Sequence, residues 1–480
     1  MLFETILTYP ATPEIFLLGM TCIVLLADLF IKQQEKKITY WLSQFALVGT
    51  AVLVLLLYNV PSTLLFNGSF IWDKTAALMQ FAIVAINFFI LIYAREYIRE
   101  RKIPQGEYYL LSLFSVLGML VLVSAYSLLT LYLGLELLSL PLYAMVALQR
   151  DSTECAEAAM KYFVTGALAS GMLLYGLSMF YGATQSLNIT EIAQVTSNLS
   201  SGQELMLIFG LVFIIAGVVF KLGAAPFHMW VPDVYQGAPT SVTLFVGTAP
   251  KIAALAMVVR LLIEGTPALV HQWQEVLILI AVLSIALGNV VAIVQSNLKR
   301  MLSYSAIAHV GYMSLGLLAA TPDGYASALF YMLAYALMSL GAFGMLVLLS
   351  KSGAEVDKIG DLRGLNTRNP WLAFMLLLVM FSMAGIPPMV GFFAKLGVLE
   401  ALIGAHMVWL ATFALVFAII GAYYYLNVVK VMYFEEPEIQ YPIVNRPIIN
   451  VAISVNCLMV LWLGMFPSGL IDLCRAAFAM

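Results

Sequence analysis

Fourteen runs of about twenty mostly apolar residues follow one another along this chain, with little between them that could fold in water. They lie near residues 13–32, 40–60, 72–95, 107–124, 126–148, 157–182, 205–230, 240–262, 273–296, 299–320, 323–350, 370–402, 405–433 and 447–470, and are numbered spans 1 to 14 below. A bilayer core admits only helices or closed barrels, because every backbone polar group must find its partner inside the protein. The runs therefore predict an all-α, polytopic membrane protein with about 14 transmembrane helices. Only 10% of the 480 residues are charged, where a soluble domain has roughly a quarter, so most of this surface is not built for water. The longest polar link, Thr184–Glu204, reads as a surface loop. The first dozen residues carry Glu4 and no Lys or Arg, unlike a cleavable signal, so the first run is expected to stay as a span.

The net charge of −3 argues against a nucleic-acid partner. Cys22, Cys155, Cys457 and Cys474 have no CxxC spacing; they read as small buried hydrophobes rather than metal ligands. No GxGxxG, phosphate-binding loop or nucleophile constellation is present, so the chain is expected to bind no cofactor and no metal itself.

Orientation follows from Lys and Arg, which favour the cytoplasmic side of short loops. With the N-terminus outside, sixteen of the 23 cations, from Lys32 to Arg446, fall in cytoplasmic loops and their flanks. Only Lys74, Arg260 and Arg475 fall outside. The asymmetry supports the span count and predicts both termini outside.

The four remaining cations lie inside spans: Lys161 in span 6, Lys221 in span 7, Lys251 in span 8 and Lys395 in span 12. Glu136 lies near the middle of span 5. Lys161 is near enough to a helix end to snorkel; the others are deep, where a Lys costs about 2.5–3.5 kcal/mol to insert. An interior ion pair that locks helices is the structural alternative, but buried pairs are weak stability devices beside apolar packing. Proton transfer explains the residue type better. Burial disfavours an ammonium and a nearby carboxylate favours it, so a buried Lys can release and recapture a proton as its partner moves. Arg cannot. Glu136 would modulate Lys221 if spans 5 and 7 touch.

Two of these lysines stand beside helix breakers. Pro226 should end the helix just beyond Lys221, and Pro387 and Pro388 should free the carbonyls of Met383 and Ala384 near Lys395. Freed carbonyls at membrane depth are tolerated where they meet protein or water. One proline alone is a packing kink; a break paired with a buried Lys, twice and five spans apart, points to two inverted five-helix repeats, spans 4–8 and 9–13. The expected divisions are residues 1–106, an N-terminal three-span segment; 107–262 and 273–433, the two halves; and 447–480, the C-terminal span. His228 and His309, the latter amid Ser303, Tyr304, Ser305 and Tyr312, are further candidate proton carriers.

The strings GLELLSLPLYAMVA, KYFVTGALASGMLLYG, FKLGAAPFHMWVPDVYQGAPTSV, LKRMLSYSAIAHVGY and MAGIPPMVGFFAKLGV resemble the antiporter-like membrane subunits of respiratory complex I. Within that family, PDVYQGAP, Lys rather than an acid at position 395, and an end at Met480 without a lateral helix resemble the bacterial subunit N type. The resemblance covers essentially the whole chain. It implies a proton-pumping module of NADH:quinone oxidoreductase in the bacterial inner membrane, with Glu136, Lys161, Lys221, Lys251 and Lys395 as its relay and His228 and His309 along the polar axis. It further implies M-like and K-like neighbouring subunits, contact with membrane lipid, and NADH, FMN, iron–sulfur clusters and quinone held on other subunits. The rival readings are a cation/proton antiporter subunit of a multi-subunit sodium antiporter, a membrane-bound hydrogenase subunit, and a scaffold that moves no protons.

Overall fold

The computed structural model describes residues 9–31, 36–197, 201–350, 355–437 and 446–479. Lys32 and Lys351, two of the cations used for orientation, lie outside them. Thirteen helices among the described residues are long and apolar enough to cross a membrane. Helices over Thr12–Phe30, Lys37–Leu57, Lys74–Glu100, Gln105–Ser124, Leu128–Val146 and Thr153–Thr184 correspond to spans 1 to 6. Val270–Ile293, Leu298–Leu318, Pro322–Leu349, Val408–Phe434 and Pro447–Met465 correspond to spans 9, 10, 11, 13 and 14. Many of the starts carry their own stop for free backbone donors. Asp73, Ser127, Ser152, Asn297, Thr321 and Asn369 each accept a backbone N–H of the helix they precede.

Three spans are interrupted. Span 7 is helical over Ser201–Leu222 and resumes only as a short helix, Trp230–Gly237. Span 12, one apolar run in the sequence, is two 15-residue helices, Pro370–Ala384 and Val390–Gly404, separated around Pro387 and Pro388. The third interruption was not expected from the sequence. Span 8 is Thr240–Val246, a break at Gly247 and Thr248, then Ala249–Val258 and a π-helical turn over Val259–Glu264. Gly247 ends one helix, and Pro250, which donates no N–H, sits at the start of the next, directly before Lys251. The carbonyl of Gly247 is met by the Ser339 hydroxyl of span 11 at 3.1 Å, so the break leaves it satisfied.

Helices approach most closely where a glycine leaves room. A Cβ at Gly118 would lie 2.3 Å from the backbone nitrogen of Leu138, and one at Gly288 would lie 2.6 Å from that of Ala308. These contacts press spans 4 and 5, and spans 9 and 10, backbone to backbone. Spans 8, 10 and 11 are almost wholly enclosed, whereas spans 1 and 13 expose most of their apolar surface. The enclosed trio is thus the axis on which a buried charge is best shielded. Cys22 corrects the sequence reading: it is exposed on the flank of span 1, while Cys155, Cys457 and Cys474 are buried.

Outside the spans, Thr63–Leu65 and Phe70–Trp72 pair as a small antiparallel hairpin, a minor exception to the all-helical plan. The polar link after span 6 contains the short helix Ile189–Thr196. Glu355, in the link after span 11, gathers three parts of the chain. Its carboxylate accepts from Tyr97, from Arg101 Nε at 3.0 Å, from Thr240 Oγ1 at 2.8 Å and from Ser350 Oγ at 3.1 Å. Burial works against its ionisation, but the Lys299 and Arg101 cations and the Tyr97 and Thr240 hydroxyls outweigh it and hold the carboxyl below its ordinary range.

Candidate functional site

Lys221 occupies the last turn before the first break. Its Nζ donates to Ser139 Oγ at 2.9 Å and to Tyr143 Oη at 3.2 Å, both on span 5. Spans 5 and 7 therefore touch through this side chain. Glu136 is three residues before Ser139 and seven before Tyr143, which stacks the three along one helical stripe. No ion pair joins Glu136 to Lys221 among the described residues, and the buried Glu136 Oε1 has no hydrogen-bond partner. Glu136 is thus a neighbour of the lysine's partners, not a direct ligand.

Lys161 does not join this interior group. Its side chain is 46% exposed and pairs with Glu157 at 2.9 Å and Asp233 at 2.7 Å. His228, in the first break, is half-buried, with Nδ1 unpartnered. No hydrogen bond brings it to Lys221 among the described residues.

Lys251 follows the third break and is 3% exposed. Its Nζ has no hydrogen-bond partner; the nearest aromatic face is that of Tyr335, 5.1 Å from Nζ to ring centroid. Tyr335 in turn lies 5.1 Å from the His309 ring. Both nitrogens of His309 meet phenols: Nδ1 is 2.7 Å from Tyr331 Oη, and Nε2 is 3.0 Å from Tyr425 Oη. Tyr425 also shares a hydrogen bond with Ser305. A neutral imidazole must donate at one nitrogen and accept at the other, and a phenol can do either. The ring is therefore poised to pass a proton from one phenol to the other by exchanging which nitrogen carries it.

Beyond His309, Tyr312 stacks near Tyr331 and presents its face to Lys395, 5.3 Å from Nζ to centroid. Lys395 lies seven residues past Pro388 and reaches back across the second break. Its Nζ donates to the carbonyls of Ala384 at 2.8 Å and Met383 at 3.1 Å. These are the two carbonyls that the proline pair frees, at the negative end of the helix Pro370–Ala384. The lysine chain crosses Gly385, where a Cβ would lie 2.9 Å from Lys395 Cδ; Gly385 also takes a positive φ of 88°. Glycine serves both needs.

Between Lys251 and Lys395 the interior thus holds one hydrogen-bonded group, Tyr331, His309, Tyr425 and Ser305, with the rings of Tyr335 and Tyr312 facing the two lysines. Sequence reading had singled out His309 and the two lysines, but not Tyr331, Tyr335 or Tyr425. Tyrosines in apolar runs look like any packed aromatic, and only the fold turns the hydroxyls of Tyr331 and Tyr425, and the ring of Tyr335, toward one histidine. No described hydrogen bond links Lys221 to Lys251.

Residues 125–421 match the family described as NADH:quinone oxidoreductase/Mrp antiporter, TM. The chain is 57% identical over 475 residues to NADH-quinone oxidoreductase subunit N of Coxiella burnetii, covering 98% of each. It is 54% identical over 479 residues, the full length of both, to the protein of the same name from Thioalkalivibrio sulfidiphilus. Among solved structures, it resembles a chain of respiratory complex I from Thermus thermophilus with bound Aureothin, with a TM-score of 0.82 and 31% identity, covering 96% of this chain and 98% of that one.

Proposed function

The chain belongs to the family of NADH-quinone oxidoreductase subunit N, and on that premise we propose that it carries protons across the membrane through its buried side chains. It is a membrane subunit of a translocating enzyme complex, partnered by other complex I subunits, with the redox chemistry elsewhere. In the proposed route, protons enter from the cytoplasm, are held on Lys221, pass through Lys251 and His309 to Lys395, and leave outside. Glu136 acts on Lys221 as an electrostatic switch, and Lys161 and His228 support the uptake side. Energy arrives from quinone reduction on other subunits, which also hold NADH, FMN, the iron–sulfur clusters and the quinone.

The observation that carries this reading is the placement of His309. Both of its nitrogens are engaged by phenols, between two lysines that each follow a helix break. A scaffold would gain more from apolar packing there. The same reading assigns residues 107–262 and 273–433 as inverted halves flanked by 1–106 and 447–480, with both termini outside in a bacterial inner membrane. It also assigns an M-like neighbour on one side and a K-like one on the other. The test is proton translocation per NADH by the intact complex in vesicles. Lys221→Ala, Lys251→Ala and Glu136→Ala should each lower the ratio. Normal ratios in all three, with normal assembly, would end the proposal.

A further inference from the structure

The short helix Trp230–Gly237 hangs between the break in span 7 and the start of span 8. Eight residues cannot hold a helix by their own hydrogen bonds, so its position is set by what grips it. From span 6, Tyr162 stacks on Trp230 at 4.6 Å, Cys155 Sγ donates to the carbonyl of Gly237 at 3.1 Å, and Lys161 Nζ donates to Asp233 Oδ2 at 2.7 Å. From span 10, Lys299 Nζ donates to the carbonyl of Ala238 at 3.1 Å. Arg300 Nη1 donates to Asp233 Oδ1 at 2.8 Å and to Gln236 Oε1 at 3.3 Å. Asp233 is the one side chain gripped from both sides, one oxygen to each cation.

The helix it sits on leads back to Lys221. Trp230 Nε1 donates to the carbonyl of Phe220, the residue before Lys221, at 3.0 Å. The Tyr162 ring meets Tyr143 edge-on at 4.7 Å, and Tyr143 accepts from Lys221. On the other side, span 10 carries His309 nine residues after Arg300. Asp233 thus stands where a shift of span 6, of span 10 or of the short helix is felt by the other two. Asp233, Lys161 and Arg300 line a polar cavity of about 210 Å³ with Glu154, Glu157 and Gln236. With each side chain about a third or more exposed, the bridges contribute little to stability, which leaves geometry as their use.

We propose that Asp233 is a positioning residue that couples the two halves: it ties the short helix to span 6 through Lys161 and to span 10 through Arg300, so that movement of one resets the hydroxyls around Lys221. The inference rests on the proton-carrying reading. When Lys161 lets go, Arg300 alone holds the carboxylate, and the short helix follows span 10, drawing Trp230 with it. Two discrete sets of contacts, rather than a continuous deformation, are what a packed interface provides.

The test uses the intact complex in vesicles, with protons per NADH and NADH oxidation rate read separately. Lys221→Ala first sets the share of translocation that this chain carries. Asp233→Asn, which keeps size but loses the charge and leaves one accepting oxygen for the two cations, should remove about half or more of that share, with assembly retained and Asp233→Glu restoring most of it. Arg300→Gln should act alike, and the double variant should be no worse than either single one, as expected of residues in one network. A merely structural role would lower yield and leave the ratio unmoved. A full share in assembled Asp233→Asn, or in Arg300→Gln should the first variant fail to assemble, overturns the inference while Lys221→Ala still defines the pump. If Lys221→Ala loses nothing, the proton-carrying reading itself fails and takes the inference with it.

Discussion

Lys395 has two separable roles, and substitution can divide them. Its ammonium caps the carbonyls of Met383 and Ala384, and in the proposed route it also gives up a proton. Lys395→Leu would strand both carbonyls. A buried acceptor left unmade costs about 1–3 kcal/mol, so the pair costs about 2–6 kcal/mol, enough to lower the assembled yield and melting temperature. Lys395→Arg offers five N–H donors and can keep both caps, at an overpacking cost of about 1–3 kcal/mol where the chain crosses Gly385. A guanidinium does not release its proton in a protein. The Arg variant should therefore assemble far better than the Leu variant, oxidise NADH, and lose the part of proton translocation that this chain carries. Melting of the purified complex reads the first role, and protons per NADH in vesicles the second. A wild-type proton ratio in Lys395→Arg would show that the residue is a cap and nothing more, and would refute the route.

Glu355→Gln should lower the melting temperature of the complex at neutral pH. The native carboxyl titrates below its ordinary value of about 4.3, so its ionised contacts stabilise the fold above that value and are lost as pH falls through the native one; the gap between variant and parent should close below about pH 4. Gly391→Ala and Gly464→Ala should each block assembly, because a Cβ would lie 1.9 Å from the carbonyl oxygen of Ser382 and 2.0 Å from that of Pro388, backbone atoms at the second break that cannot step aside. Gly19→Ala, with nothing within 4 Å, should leave the yield of assembled complex unchanged, and the same yield reads all three variants. His309→Phe should leave assembly intact and lower protons per NADH, and Tyr425→Phe, which removes the partner of Nε2 and of Ser305 but keeps the histidine, should lower it less. Equal and normal ratios in both would exclude the histidine from the path.

The series of apolar helices was legible because it rests on run length, which survives without tertiary contacts. The breaks in spans 7 and 12 were legible through Pro226, Pro387 and Pro388. Pro387 and Pro388 even named the carbonyls that Lys395 caps. Span 8 was read as continuous although Pro250 lies near its middle; the fault lies three residues earlier, at Gly247, and its carbonyl is repaired by Ser339 from a distant span. Lys161 was legible as a cation near enough to a helix end to snorkel, but its partner Asp233, 72 residues away, was not. The tyrosines around His309 come from spans 11 and 13 and converge only in the fold.

That convergence also separates the two outer lysines, which the sequence presents as equivalents. Lys221 precedes its break and donates to hydroxyls, groups that can accept a hydrogen bond and donate one in turn, so a proton arriving there has somewhere to continue. Lys395 follows its break and donates to carbonyls, which only accept, so the proton cannot leave by the groups that hold it. Release at Lys395 then requires the ammonium to part from the end of the helix Pro370–Ala384. In the proposed route, a movement that separates Val390–Gly404 from that end removes the two contacts that favour the ammonium, so that its proton can pass to an acceptor, and a movement that closes them restores the hold. In the proposed route the first break is therefore a place of passage, and the second, held by backbone rather than side chains, is the gate.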